Sequence, residues 1–145
     1  RILAELQNDG RISNVELATR VNLSPAACLE RVRKLQESNY ILGYTAQLNP
    51  HLLDVALLVF IEVVLDRTTP DVFDAFKRGV QAIPEVLECH MVAGGFDYLV
   101  KARVKDMNAY RDFLGKSLLQ LSGVRETHTY AVMEEVKNTT ALPIK

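Results

Sequence analysis

The sequence predicts an α+β chain in two parts: a winged helix-turn-helix over residues 1–48 and a ferredoxin-like βαββαβ domain over residues 49–145. Three observations predict it. Short, well-capped helical segments fill the first forty residues. From Leu57 onward, apolar runs of strand character alternate with amphipathic runs of helical period. Finally, Val86-x-Glu88-x-His90 returns 38 residues later as Val124-x-Glu126-x-His128, each time after an amphipathic helix and a Pro or Gly, as a doubled half-domain would show.

The elements follow in order. "RILAELQNDG" reads as the second half of a helix, with Ile2, Leu3 and Leu6 on one face and Gly10 as its C′ residue, so chain preceding Arg1 is expected. Ser13 caps "SNVELATRV", with Glu16 completing a capping box and Val15, Leu17 and Val21 as apolar positions. Ser24 caps the next helix and Pro25 takes its first position. There Cys28, Leu29, Val32 and Leu35 form the inner face, with Ala27, Glu30, Arg31 and Lys34 opposite and Ala26 and Arg33 on a flank. "YILGYTAQLNP" reads as two short strands around Gly43, and Asn49-Pro50 marks the boundary. "LLVFIEVVL" is a strand. Thr69 and Pro70 open a helix burying Phe73, Phe76, Val80 and Ile83. "EVLECHMV" and "DYLVKARV" are strands joined through "AGGF". Asp106 caps a helix with Met107, Tyr110, Phe113, Leu114, Leu118 and Leu121 inward, and "VRETHTYAVMEEV" is the last strand.

Composition bounds the reading loosely. The 145 residues are 48% apolar with a net charge of −1; residues 1–50 carry +1 and the remainder −2, so position rather than total charge must argue for a nucleic-acid partner. No apolar run approaches the about eighteen residues of a membrane span. Cys28 and Cys89 have neither CxxC spacing nor a framework, which makes a reducing cytoplasm the expected compartment.

The third helix has a bare tip. Ser24, Ala26 and Ala27 offer almost no bulk, and Arg31, Arg33 and Lys34 follow. A DNA major groove about 12 Å wide admits a helix only where side chains do not hold it out, and cations beyond the tip reach phosphates. These residues, with Ser13 and Asn14 at the start of the preceding helix, are the candidate contacts to double-stranded DNA, and the strands around Gly43 are the expected wing. The alternative is a plain three-helix core whose polar face meets water.

In the second part, "LLVFIEVVL" is apolar on both faces, broken only by Glu62. A ferredoxin-like sheet covers one face with its own helices, so the other face needs a cover. A second copy is the expected one, giving a symmetric dimer; the first domain folding back is the alternative. "VAGGFDYL" has two readings. Gly94 and Gly95 either make a hairpin turn, with Asp97 bonding its backbone, or present N–H groups to a carboxylate while Asp97 attracts an ammonium. Catalysis finds no support: His51, His90 and His128 lack metal spacing, and the neighbours Cys89 and His90 point to opposite faces of a strand. Neither a catalytic residue nor a metal site is expected.

Across these motifs the chain resembles the leucine-responsive / asparagine-biosynthesis (feast/famine) regulators. The resemblance rests on "DGRISNVELATRVNLSP", "CLERVRKL", "GYTAQLNP", "ECHMVAGGFDYLVKARV", "DMNAYRDFL" and "YAVMEEVK", and it is strongest toward the leucine-responsive branch. It implies a hinge strand, dimers that assemble into octamers, and a small amino-acid effector, leucine or another aliphatic one, held between dimers near the glycine loop. The implied effector positions are Met91, Ala93, Gly94, Gly95, Phe96, Asp97, Tyr98, Met107, Tyr130, Ala131 and Val132. Gly95 stands where relatives often carry an acidic residue. A second functional class is an amino-acid-binding regulatory subunit of an enzyme, with the helical part as a protein-docking module.

Overall fold

The computed structural model describes residues 1–145 as two compact units: residues 1–47 with 137–145, and residues 48–136. Chain order places 49–145 wholly in the second part. Instead, the last nine residues pack with the helical unit, held by hydrogen bonds between Gln7 and Leu142.

The helical unit contains α1 (Ile2–Asn8), α2 (Asn14–Arg20) and α3 (Pro25–Glu37). Ile2, Leu17, Ala18 and Cys28 form its buried centre, and Leu6, Ile12, Val21, Leu23, Val32 and Leu35 pack around them. Ser13 and Ser24 cap as their positions require: each hydroxyl accepts from the backbone N–H three residues on, at 3.2 Å. The box at Ser13 is one-sided, because the Glu16 carboxylate turns to Arg20. Gly10 is not in the left-handed region; the positive φ values fall instead on Asn22 and Asn39, in the α2–α3 turn and after α3. Val15 and Leu29, expected inward, are 65% and 61% exposed. Three helices this short fill their common centre with one or two side chains each, and these two fall outside it.

The two strands expected around Gly43 do not form: residues 41–49 contain neither helix nor strand. The N–H groups of Tyr40 and Ile41 both turn back to Leu35 O, finishing α3. Leu42 and Leu48 are 91% and 71% exposed, so a two-stranded ribbon would have no apolar face to pack.

The second unit is β1 (Leu57–Leu65), α4 (Pro70–Gln81), β2 (Val86–Met91), β3 (Tyr98–Val104), α5 (Met107–Phe113) with a π turn at Leu114–Leu118, and β4 (Val124–Ala131). The sheet is antiparallel in the order β2-β3-β1-β4, the ferredoxin-like arrangement. Val59, Ile61, Val63 and Leu65 face the helices, with Phe76, Val80, Val100, Ala102, Phe113 and Leu118. Met107, expected in this core, is 56% exposed. Strand β4 stops at Ala131; Val132 N–H still donates to Leu58 O, and the chain then leaves the sheet.

The opposite face is more polar than β1 alone suggests. Cross-strand register sets His90, Leu99, Glu62 and His128 in one row and Glu88, Lys101, Phe60 and Tyr130 in the next. The Val-x-Glu-x-His repeat therefore has a structural meaning: it places a Glu–His pair on each outer strand, at 3.0 Å on β2 and 3.8 Å on β4. The apolar part is a central strip of Leu58, Phe60, Val64 and Leu99.

Candidate nucleic-acid interface and effector site

Helix α3 presents its tip to solvent. Ser24, Ala26, Ala27, Arg31, Arg33 and Lys34 are all exposed. The Ser24 hydroxyl caps the helix, and Asn14 Nδ2 donates to Pro25 O at 2.9 Å, fixing the start of α2 against the tip. Ser13 and Asn14 thus orient the tip, and both already use side-chain hydrogen-bonding groups locally. The cations divide. Arg33 lies between Glu30 and Glu37, bonded to both, which raises its pKa and lowers that of Glu30. Arg31 and Lys34 form no ion pair within 4.0 Å, so their charge is available to an anion. At 100° per residue, Arg31 and Lys34 lie on the same side of the helix.

The candidate effector positions do not form one cluster. The sheet register separates them into two groups at opposite ends. Met91 and the loop Ala93–Asp97 lie where β2 and β1 end and β3 begins. Tyr130, Ala131 and Val132 lie where β4 ends beside Leu58 and Val59. Met107 follows β3 at that same far end. From Leu65 to Leu58 is about 23 Å of strand. Tyr130 and Ala131 also point to opposite faces of the sheet.

At the loop end, a cavity of about 530 Å³ is lined by Gly94, Gly95, Phe96 and Asp97, and also by Asp66, Arg67, Thr68, Thr69 and Arg125. The last five were not read from the sequence. The antiparallel order is the missing signal, since it brings the exit of β1 and the start of β4 beside the glycine loop. Neither glycine has positive φ, and a Cβ at either would meet open space, so neither is required by a turn or by internal packing. Asp97 is anchored: its carboxylate accepts from Leu65 N–H at 2.8 Å, while its own N–H donates to Val63 O and its carbonyl accepts from Val92 N–H.

Tyr98 is not in this cavity. It is 2% exposed, on the helix-facing side, 4.5 Å from Phe76 and 6.0 Å from Phe73 between ring centroids. Alternation along the strand turns its ring inward, opposite to Leu99. Its buried hydroxyl has no hydrogen-bond partner, and burial, with lesser contributions from Cys89, Asp97 and Asp74, raises its pKa.

Comparison with known proteins settles the kinship. The winged helix-turn-helix DNA-binding family matches residues 1–41, and the Lrp/AsnC ligand binding domain family matches residues 58–142. The leucine-responsive regulatory protein of Escherichia coli K12 is 61% identical over 144 residues, 99% of this chain and 88% of that protein. The chain belongs to the Lrp/AsnC family. Among solved Lrp/AsnC-type structures, a transcriptional regulator from Neisseria meningitidis in complex with L-Met is 40% identical with a TM-score of 0.93, over 98% of this chain and 92% of that one. The feast or famine regulatory protein of M. tuberculosis, complexed with L-methionine, is 31% identical with a TM-score of 0.86, over 98% and 95% of the two chains. As an Lrp/AsnC member, this chain is a DNA-binding transcription regulator of the amino-acid-responsive kind. No helix is long and apolar enough to cross a membrane.

Proposed function

We propose that this regulator reads a specific DNA site through the tip of α3 and senses a small aliphatic amino acid at a pocket completed by two copies of the chain. One observation carries the reading: the candidate effector positions lie at opposite ends of one sheet. A single pocket that uses both groups therefore takes the glycine-loop end of one copy and the Met107/Tyr130–Val132 end of another.

The division of roles follows from chemistry. Gly94 and Gly95 leave room for a ligand to approach the backbone, so their N–H groups suit a carboxylate. The anchored Asp97 keeps a second oxygen for an ammonium. Met91 and Met107, both more than half exposed, are flexible apolar surfaces that accept several aliphatic shapes. Leucine and methionine are the leading effectors, supported by a relative named as leucine-responsive and by two relatives solved with methionine. Phe60, Val64 and Leu99, partly buried beside the buried Leu58, form the strip through which two copies pair, and dimers associate further, to an octamer, through the effector ends. The setting is the cytoplasm, where the DNA is.

A thermal-shift screen against the twenty amino acids, with sedimentation velocity on each hit, tests this. A ligand that binds only the native state raises its stability. Leucine or methionine should raise the melting temperature and change the oligomer distribution together. Twenty null results, or binding to an isolated monomer at full affinity, would reject the two-copy pocket.

A further inference from the structure

The chain crosses between its two units twice, once near residue 47 and again near residue 136. The second crossing is fastened on both sides. In the sheet unit, Val132 N–H donates to Leu58 O at 2.9 Å. Three residues on, Glu135 pairs at 2.8 Å with Arg103, whose side chain is only 11% exposed. In the helical unit, the side-chain amide of Gln7 grips both main-chain groups of Leu142: Nε2 donates to Leu142 O at 3.0 Å, and Oε1 accepts from Leu142 N–H.

That two-point grip is what a neighbouring strand would offer at one residue. It does not depend on burial, since the Leu142 side chain is 72% exposed. Exposed hydrogen bonds exchange with water, so the pair is strong enough to bias an arrangement and weak enough to be released.

Gln7 lies in the last turn of α1. Two residues back, Glu5 pairs with Arg20 of α2 at 3.0 Å. Asn14, at the other end of α2, holds Pro25 O at the tip of α3. On the other side, the segment begins five positions beyond Val132, and the proposed function places Tyr130, Ala131 and Val132 in the effector pocket.

We propose that residues 137–145 form a strap by which the effector-binding unit sets the position of the DNA-reading helices, with Gln7 as the positioning residue that receives it. The inference rests on the amino-acid reading above. A ligand shifts DNA affinity only through a difference in its own affinity for two arrangements, and the strap supplies an element whose gripped and released states differ at α1.

The test uses the full chain, leucine, and a duplex selected on the wild type from a random pool. Gln7→Leu removes both bonds, and Gln7→Glu keeps the acceptor but loses the donor. Leu142→Pro removes the N–H from the other side without touching α1. Leucine binding is read by calorimetry and DNA affinity by anisotropy, with and without leucine. All three variants should bind leucine as the wild type does and bind DNA without leucine within about threefold of it. The leucine-induced change in DNA affinity should fall at least fivefold in Gln7→Leu, and less in Gln7→Glu and Leu142→Pro, each of which loses one bond. If the wild type and Gln7→Leu bind leucine and respond alike, the strap is overturned. If the wild type binds no leucine, the functional reading fails and the strap with it, an outcome plainly distinct from the first.

Discussion

The Asp97 carboxylate accepts a hydrogen bond from the Leu65 backbone N–H at 2.8 Å, and Asp97 N–H returns one to Val63 O. Asp97 therefore ties the end of β1 to the glycine loop before any ligand arrives. The proposed ammonium contact would share this side chain with its structural bond, and charge separates the two.

Asp97→Ala leaves the part-buried Leu65 N–H without its acceptor and should cost about 1–3 kcal/mol. Asp97→Asn keeps an acceptor oxygen and should cost much less, while removing the charge offered to an ammonium. Chemical denaturation with calorimetry separates the two. The expected result is near-wild-type stability for Asp97→Asn with leucine affinity at least tenfold weaker. Unchanged affinity would leave Asp97 with the structural role alone.

The three cations of α3 should not behave alike. Arg31→Ala and Lys34→Ala should each weaken binding on every duplex and flatten the salt dependence by roughly one counterion. Arg33→Ala should change the slope little, because Glu30 and Glu37 already hold its guanidinium. Binding isotherms from low to high salt check this; equal slopes for all four proteins would remove α3 from the phosphate contacts.

What was legible in the sequence was local. Ser13, Ser24 and Asp106 cap helices because a short polar side chain meets an N–H three residues on, whatever the rest of the chain does. The span of β1 was equally plain, set by its apolar run. What failed needed a partner outside the window. The two strands around Gly43 needed something to pair with, and residues 41–49 form no ladder within the chain. Tyr98 adjoins the glycine loop in sequence, but register pairs it with Val63 and Met91 and turns its ring toward Phe76. The Gln7–Leu142 grip joins residues 135 positions apart with no pattern at either end.

Tyr98→Phe tests that correction. Its orphaned buried hydroxyl contributes no bond, so phenylalanine should leave the melting temperature unchanged or raise it, with leucine affinity intact. A loss of leucine binding would return Tyr98 to the pocket.

Cys89 gives a prediction in pH. Burial pushes its thiol up to about 11, from an ordinary value of 9.0. At pH 8 about one thiol in a thousand is ionised, so native protein should react slowly with a disulfide reagent while unfolded protein titrates both cysteines. The stability sign follows. Above about pH 9 the unfolded chain releases this proton and the folded chain keeps it, so the unfolded state binds fewer protons and stability falls as pH rises toward 11. Cys89→Ala should flatten that decline in melting temperature between pH 9 and 11. An identical decline in both proteins would assign it to other groups.

The two faces of β1 should separate folding from assembly. Val59 is fully buried beneath the helices, and an aspartate there is an unpaired charge in the core, costing several kcal/mol. Val59→Asp should express as insoluble or unfolded protein. Phe60 is half-buried on the open face, between Lys101 and Tyr130 in register. Phe60→Asp meets solvent and a nearby ammonium within its own chain, so the protomer should keep its fold. The penalty appears only when a second copy covers the face, where the same charge would be pressed against the apolar strip. Circular dichroism should therefore show a native spectrum for Phe60→Asp, and sedimentation velocity at micromolar concentration should show monomer where the wild type shows dimer or larger. A Phe60→Asp protein that sediments as the wild type does would place the dimer contact somewhere other than this face.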